Sequence, residues 1–320
     1  MKEILDFILT FSSILWEALP FIILGAIIAG ILEEFLPQSL ITRILPKQVL
    51  PAVVIGALLG LIFPMCECGI VVVMRRLLRK GLPLSCCIAY MLAGPIINLV
   101  VIFSTYVAFK SHGIADQMVA LRVGLGFIVA VTTALVVHVQ YRKYGNALLT
   151  PLAVPKDVDH GPDEHEDKKR KSLLDRLGNI SSTAIHDFVD IAVFLILGAV
   201  LAALAKTQIT PDDVERFSAE QPFLAIPAMM GLAFLMCLCS EADAFVAASF
   251  TSMHVSAKLA FLVLGPMLDI KLLLMYTSVF RPRLILTITT TVTISVLLLC
   301  LGVHLLYQAN GWSGLPPLVR

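Results

Sequence analysis

The chain has 320 residues, of which 58% are hydrophobic and only 15% charged, and its net charge is +1 at pH 7. Soluble domains average about a quarter charged residues, whereas here the apolar residues run in unbroken blocks, the clearest being Leu82 to Phe109 without one Asp, Glu, Lys or Arg. A large soluble core is therefore excluded, and so is bulk electrostatic attraction to nucleic acid.

Eight apolar blocks follow in order, at about 7–32, 49–73, 82–109, 117–140, 184–205, 222–249, 257–280 and 284–307. Each approaches the roughly 20 residues that cross a hydrocarbon layer. Lipid offers the backbone no hydrogen-bond partners, so all eight are expected to be helical. The first block carries Glu17, lacks an A-x-A-like cleavage site and is too long for a signal h-region, so it is expected to stay in the mature protein. The expectation is an all-α, polytopic membrane protein of about eight transmembrane helices.

Within the first span, Glu17 follows Trp16, a residue that favours the membrane interface. Glu17 is thus either functional or solvated at that interface. Near the end of the second span lies Phe63-Pro64-Met65-Cys66-Glu67-Cys68-Gly69. Helical residues two apart point to different faces, so Cys66 and Cys68 converge only where the backbone is unwound. Pro64 and Gly69 supply the means to break the helix. Irregular backbone at membrane depth is tolerated where it is packed in protein or lines a cavity, so this stretch reads as a cavity-lining break with Glu67 as its charge.

Arg75, Arg76, Arg79 and Lys80 come next and read as a cytoplasmic loop by the positive-inside rule. Cys86 and Cys87, in the third span, read as small packing residues. Gly94-Pro95 breaks that span, and a Pro at the first position of a new half-helix would leave Asn98 about one turn along. The connection from Tyr141 to about Ser181 is basic and mixes Pro, Gly and both charges, as a flexible cytoplasmic linker does. Its His160, Asp163, Glu164, His165 and Glu166 are either a metal-capturing group or a solvated charge run.

Beyond the linker, Asp190 poses the same question as Glu17. Cys237-Leu238-Cys239-Ser240-Glu241-Ala242-Asp243 places two carboxylates beside a second thiol pair. Gly265-Pro266 marks another break, followed by Asp269 and Lys271. Facing lipid would cost about 3 kcal/mol for each charged group, so these side chains are expected to meet one another, a cavity or water. Arg281 and Arg283 disagree with strict alternation, which puts their loop outside.

The chain also repeats itself. Cys66-Glu67-Cys68 returns as Cys237-Leu238-Cys239, and Gly94-Pro95-Ile96-Ile97-Asn98 as Gly265-Pro266-Met267-Leu268-Asp269, both 171 positions on. The expected organisation is two homologous four-helix repeats with broken helices, residues 1–140 and 182–320, joined by the linker 141–181. An even number of spans leaves the repeats parallel; re-entrant hairpins or a miscounted span would invert them. Four thiols suit a soft species such as copper(I), zinc or a trivalent arsenical. The seven cysteines do not suggest a secreted disulfide framework, since all of them fall in or beside apolar spans.

The motifs Pro64-Met-Cys-Glu-Cys-Gly69, Arg75-Arg76-Leu-Leu-Arg-Lys-Gly-Leu-Pro83, Leu92-Ala-Gly-Pro-Ile-Ile-Asn98, Glu241-Ala-Asp-Ala-Phe-Val-Ala-Ala-Ser-Phe250 and Leu264-Gly-Pro-Met-Leu-Asp-Ile-Lys271 resemble those of the ArsP-type bacterial predicted permeases. That family includes the YraQ-like proteins and is named for members that export trivalent organoarsenicals. The resemblance covers nearly the whole chain. It implies a permease with Cys66, Glu67, Cys68, Gly94, Pro95, Asn98, Asp243, Asp269 and Lys271 on the family's characteristic positions. Ile70-Val71-Val72-Val73 departs from the Val-Pro or Ile-Pro of the family pattern.

The leading expectation is a permease of the plasma (inner) membrane, a secondary transporter exporting a small molecule or ion, with N-terminus and central loop cytoplasmic. Its cavity residues would be Glu67, Gly94, Pro95, Asn98, Glu241, Asp243, Gly265, Pro266, Asp269 and Lys271, with Cys66, Cys68, Cys237 and Cys239 toward a metal or arsenical. No cofactor is implied, and the partners are substrate, bilayer and a second copy in a homo-oligomer. No P-loop and no H-E-x-x-H is present, so neither ATP hydrolysis by that route nor zincin chemistry is indicated. An intramembrane enzyme and a non-transporting subunit or sensor of a larger complex are the alternatives.

Overall fold

In the computed structural model the described residues are 2–35, 46, 48–63, 65–151, 153–154, 173–206, 222–311 and 314. The candidate metal-capturing run of the linker, with His160 and His165, lies outside them, as does Pro64. Among these residues there are twelve α-helices and no strand: α1 Lys2–Phe35, α2 Val49–Ile62, α3 Glu67–Arg79, α4 Leu84–Ala93, α5 Leu99–Lys110, α6 Ala115–Tyr144, α7 Leu173–Lys206, α8 Pro222–Met236, α9 Ala242–Ser249, α10 Val255–Leu264, α11 Ile270–Thr277 and α12 Pro282–Ala309. The protein is an all-helical membrane protein. α1, α6, α7 and α12 are long and apolar enough to cross a bilayer. They expose large apolar side chains such as Leu9, Trp16, Val139, Ile185 and Leu298, which lipid covers.

The remaining helices are short, and each of the other four expected spans is divided between two of them. α2 and α4 run side by side in the same direction, with Gly56 against Cys86 and Gly60 against Gly94. α3 runs the opposite way, because it joins α4 through the turn at Lys80–Pro83 and its other end brings Ile70 against Gly94. The chain therefore reverses between Ile62 and Glu67: the break expected within residues 49–73 is present, and the two helices it separates run in opposite directions, so together they do not make a single crossing. The reversal needs close backbone approach. A Cβ on Gly60 would lie 2.6 Å from Gly94 Cα and 2.8 Å from the Ile97 carbonyl, so glycine is required there.

α1 runs parallel to α3, with Phe21 and Gly25 at Gly69 and Glu33 beside Arg76. α1 and α7 are antiparallel, pairing Gly30 with Ile180, Glu34 with Arg176 and Ile14 with Ala199. α6 and α12 are antiparallel as well, with the Arg283 guanidinium 4.6 Å over the Tyr144 ring and Tyr307 meeting Gln117 at the far ends. Arg281 donates from Nε to the Leu149 carbonyl at 3.2 Å. The basic residues Arg281 and Arg283 thus share a face with Arg142 and Lys143, where strict alternation had separated them.

At the centre, α3, α4 and α10 are buried nearly all round. α4 has no polar stripe to turn toward water, so it is enclosed on every side. α3 carries Glu67 in its first turn and Arg76 and Arg79 in its last, which complements its dipole. Arg75 and Arg76, expected in a loop, are interior residues of this helix and are buried.

Candidate solute site

Four helix breaks meet at the middle of the molecule. The first thiol motif sits where α3 begins: Cys66 is its N-cap in extended backbone, and Cys68 already belongs to the first turn. Both thiols are buried. Between α8 and α9 the backbone is unwound, and Cys237 adopts a φ of 49°, the left-handed region that non-glycine residues seldom enter. Such strain persists only where the surroundings impose it, and it falls on a thiol facing this centre.

Gly94 and Gly265 cap the ends of α4 and α10, whereas Asn98 and Asp269 are the N-caps of α5 and α11. Asn98 Oδ1 accepts from the Val100 N–H at 2.9 Å and Asp269 Oδ1 from the Leu272 N–H at 2.5 Å. This corrects the expectation that Pro95 and Pro266 open the new half-helices. Both prolines lie in the turn, and the starting positions go to side chains that can accept from free backbone N–H groups.

Cys66, Glu67, Cys68, Cys237, Cys239 and Lys271 line one cavity with Glu17, Ala18 and Phe21 of α1. Lys271 Nζ donates to Glu67 Oε1 at 3.1 Å and lies 3.7 Å from Asp269 Oδ2. The Cys239 thiol donates to Glu17 Oε1 at 2.5 Å, so Glu17 faces the centre while its neighbour Trp16 faces outward. The cavity encloses only about 10 Å³, room for no more than one water. A solute enters only if the surrounding helices move.

Beside this group, Arg122 of α6 donates to Asp243 Oδ2 at 2.8 Å, to the Ser240 carbonyl at 3.1 Å and to Thr105 Oγ1 at 2.7 Å. Arg122 was not singled out from the sequence, although a lone Arg within the apolar block 117–140 was signal enough. Lys258, another cation inside an expected span, was also missed; its ammonium lies 5.8 Å from the Phe109 ring centroid. Glu241 is part-buried next to Asp243. Cys86 and Cys87 are wholly buried in the packing around α4 and take no part in this cavity.

Asp190 belongs elsewhere. It accepts from Arg75 Nη1 at 3.2 Å, beside Asp187, whose carboxylate accepts from Arg75 and from Arg76 Nε and Nη2 at 2.7 Å. These residues form a clamp between α3 and α7. Its carboxylates are the interior partners that allow two arginines to be buried.

At the end of α12 a histidine pair closes the structure. His254 caps α10 by accepting the Ser256 N–H on Nδ1 at 3.1 Å, and His304 Nδ1 is 3.4 Å from the same nitrogen. Burial, and after it the neighbouring His304, pulls His254 down to about 4. The cap needs Nδ1 unprotonated. Because the folded value lies below the unfolded one of about 6.5, the cap's stability is complete above pH 6.5 and is lost as pH falls toward 4. Melting temperature in detergent should therefore decline across that window, and His254→Asn, which keeps an acceptor without the titration, should flatten the decline. An unchanged slope would remove His254 as its origin.

Comparison with known proteins matches this chain, over residues 3–305, to the family described as predicted permease, ArsP_1. It is 40% identical over 290 residues to the UPF0718 protein YcgR of Bacillus subtilis, covering 90% of this chain and 93% of that protein. It is 33% identical over 301 residues to a Streptococcus mutans protein described as a subunit of a two-component membrane permease complex, covering 94% and 95%. No solved structure matches. A helical membrane chain with broken helices around a buried set of thiols and carboxylates, matched along nearly its whole length, belongs to the ArsP-type predicted permease family.

Proposed function

We propose that the chain is a secondary transporter that exports a small solute with affinity for thiols, such as a trivalent arsenical or a soft metal ion, and that it is not an enzyme. The observation carrying this reading is that Cys66, Cys68, Cys237 and Cys239 line one closed cavity with Glu67 and Lys271. Sulfur donors select soft species, and the carboxylates offer a route for coupling protons.

The reading divides the chain into two halves, 1–140 and 182–320, around the linker 141–181. Helices α1 and α7, each of 34 residues, begin 171 positions apart, as do α4 and α10 and again α5 and α11. In this reading these are equivalent elements, and the antiparallel pairing of α1 with α7 and of α6 with α12 supports inverted rather than parallel repeats. Each half then has three crossings and one re-entrant hairpin, α2–α3 or α8–α9. Basic residues gather on the face holding Lys80, Arg142, Lys143, Arg281 and Arg283, so by the positive-inside rule that face is cytoplasmic. The start of α1 then lies on the opposite side, against the earlier expectation of a cytoplasmic N-terminus. The Arg75–Arg76–Asp187 clamp would close the cavity toward the cytoplasm and open as the halves rock.

The description of the Streptococcus mutans relative favours a second reading, in which this chain is one subunit of a two-component permease. Purified chain in proteoliposomes separates the two. Trivalent arsenicals, copper(I) and zinc are offered with and without a pH gradient, to the native chain and to Cys66→Ser/Cys68→Ser. The transporter reading expects flux of at least one solute and its loss in the variant. Flux only when a second membrane protein is added supports the subunit reading, and no flux under either condition sinks both.

A further inference from the structure

A polar pocket lies away from the thiols, between the C-terminal half of α3 and α7. It encloses about 230 Å³, far more than one water requires. Arg75, Arg76 and Arg79 of α3 line one wall. Ser182, Thr183 and His186 of α7 line the other, beside Asp187 and Asp190.

The two acids are already engaged. Both Asp187 oxygens accept from the Arg75 and Arg76 guanidiniums, and Asp190 Oδ2 accepts from Arg75 and lies 3.2 Å from His186 Nδ1. The donors are not used up. Arg75 Nε is buried without a hydrogen-bond partner, on a residue only 2% exposed. Arg76 Nη1 has only a Glu33 oxygen at 3.9 Å. Arg79, one turn beyond Arg75 on the same helix face, makes no hydrogen bond or ion pair among the described residues, and neither do the Ser182 and Thr183 hydroxyls. Three guanidiniums thus meet two carboxylates, which leaves one positive charge over. A buried N–H without a partner calls for an acceptor, and the hydroxyls across the pocket supply further donors. The same balance opposes a metal ion on His186, Asp187 and Asp190, although their ligand atoms lie within 4.8 Å of one another.

We propose that this pocket binds a phosphate-type oxyanion, held by Arg75 Nε, Arg79 and the Ser182 and Thr183 hydroxyls, which bridges α3 to α7. Guanidiniums are the side chains best matched to phosphate oxygens. Two sources carry that chemistry, free phosphate and the headgroup of an anionic phospholipid. The pocket lies at the end of α3 next to Lys80, on the face read above as cytoplasmic, where basic pockets between membrane helices take acidic headgroups. Ile185 and Val189, three residues beyond Ser182 and His186, are 61% and 55% exposed. The lipid-covered face of α7 therefore adjoins the pocket.

The test is the thermal midpoint of the purified chain in detergent. It is titrated with inorganic phosphate against chloride at equal ionic strength, and separately with phosphatidylglycerol against phosphatidylcholine in mixed micelles. At least one probe should raise the midpoint, and Arg79→Gln, which leaves every contact of the clamp in place, should weaken its binding about tenfold or more. Ser182→Ala/Thr183→Val should weaken it too, and decides the matter if Arg79→Gln does not fold. Arg142→Gln, on the same face but outside the pocket, should leave binding unchanged. A response to phosphate alone assigns a soluble anion, and a response to phosphatidylglycerol alone assigns a headgroup. The proposal is overturned if neither probe raises the midpoint, if binding is undiminished in the pocket variants, or if Arg142→Gln loses as much. No solute or gradient is involved, so the result stands apart from the transporter reading.

Discussion

Asp187→Ala is expected to lower the unfolding free energy by about 3–5 kcal/mol, because removing one partner of a buried ion pair leaves the other charge uncompensated. Here the carboxylate is wholly enclosed and holds both Arg75 and Arg76. Asp190 reaches only Arg75, and Arg76 is left with the part-exposed Glu33 carboxylate at 3.9 Å, too distant to replace the lost hydrogen bonds. Glu34→Ala supplies the comparison. Its partner Arg176 is 39% exposed at 3.9 Å, and such a pair contributes about 1 kcal/mol or less. Thermal or denaturant unfolding in the same detergent measures both. Equal effects would mean that the clamp between α3 and α7 is not held by its charges.

The second large effect is expected at Arg122, where Met should cost a similar 3–5 kcal/mol. Asp243 would lose its ion pair while remaining 2% exposed, and the Ser240 carbonyl and Thr105 hydroxyl would each lose a donor. The sign reverses when both charges go. Arg122→Met/Asp243→Leu should recover most of the loss, since replacing a whole buried pair with apolar groups of similar volume is often neutral or stabilising. A double-mutant cycle on unfolding free energies isolates the coupling between the two side chains. Additive effects, with no recovery in the double variant, would show that the 2.8 Å contact is incidental to stability.

Much of the central site was legible from residue chemistry. Carboxylates and thiol pairs inside apolar blocks cannot be left facing hydrocarbon, and Glu67, Asp269 and Lys271 do meet in the interior. Proline and glycine beside them announced broken helices, although the starts of the new helices fell to the capping residues Asn98 and Asp269. Arg122 was legible by the same rule and was passed over. Glu17 and Asp190 looked alike beside their interfacial neighbours, yet one reaches Cys239 and the other Arg75. Nothing local separates them, because their partners lie 222 and 115 residues away.

The helical, membrane-embedded character of this protein was already settled by composition and block length, since a backbone in lipid has no partner but itself. The path of the chain was not. A 14-residue helix followed by a 13-residue helix reads as one apolar crossing in a linear pattern, and hydropathy carries no information about direction. That the chain turns back at Cys66 follows from packing between distant segments, Gly60 on Gly94 and Gly25 on Gly69. Those contacts, together with Gly198 packed against Lys271, bring Glu67 to Lys271, 204 positions away.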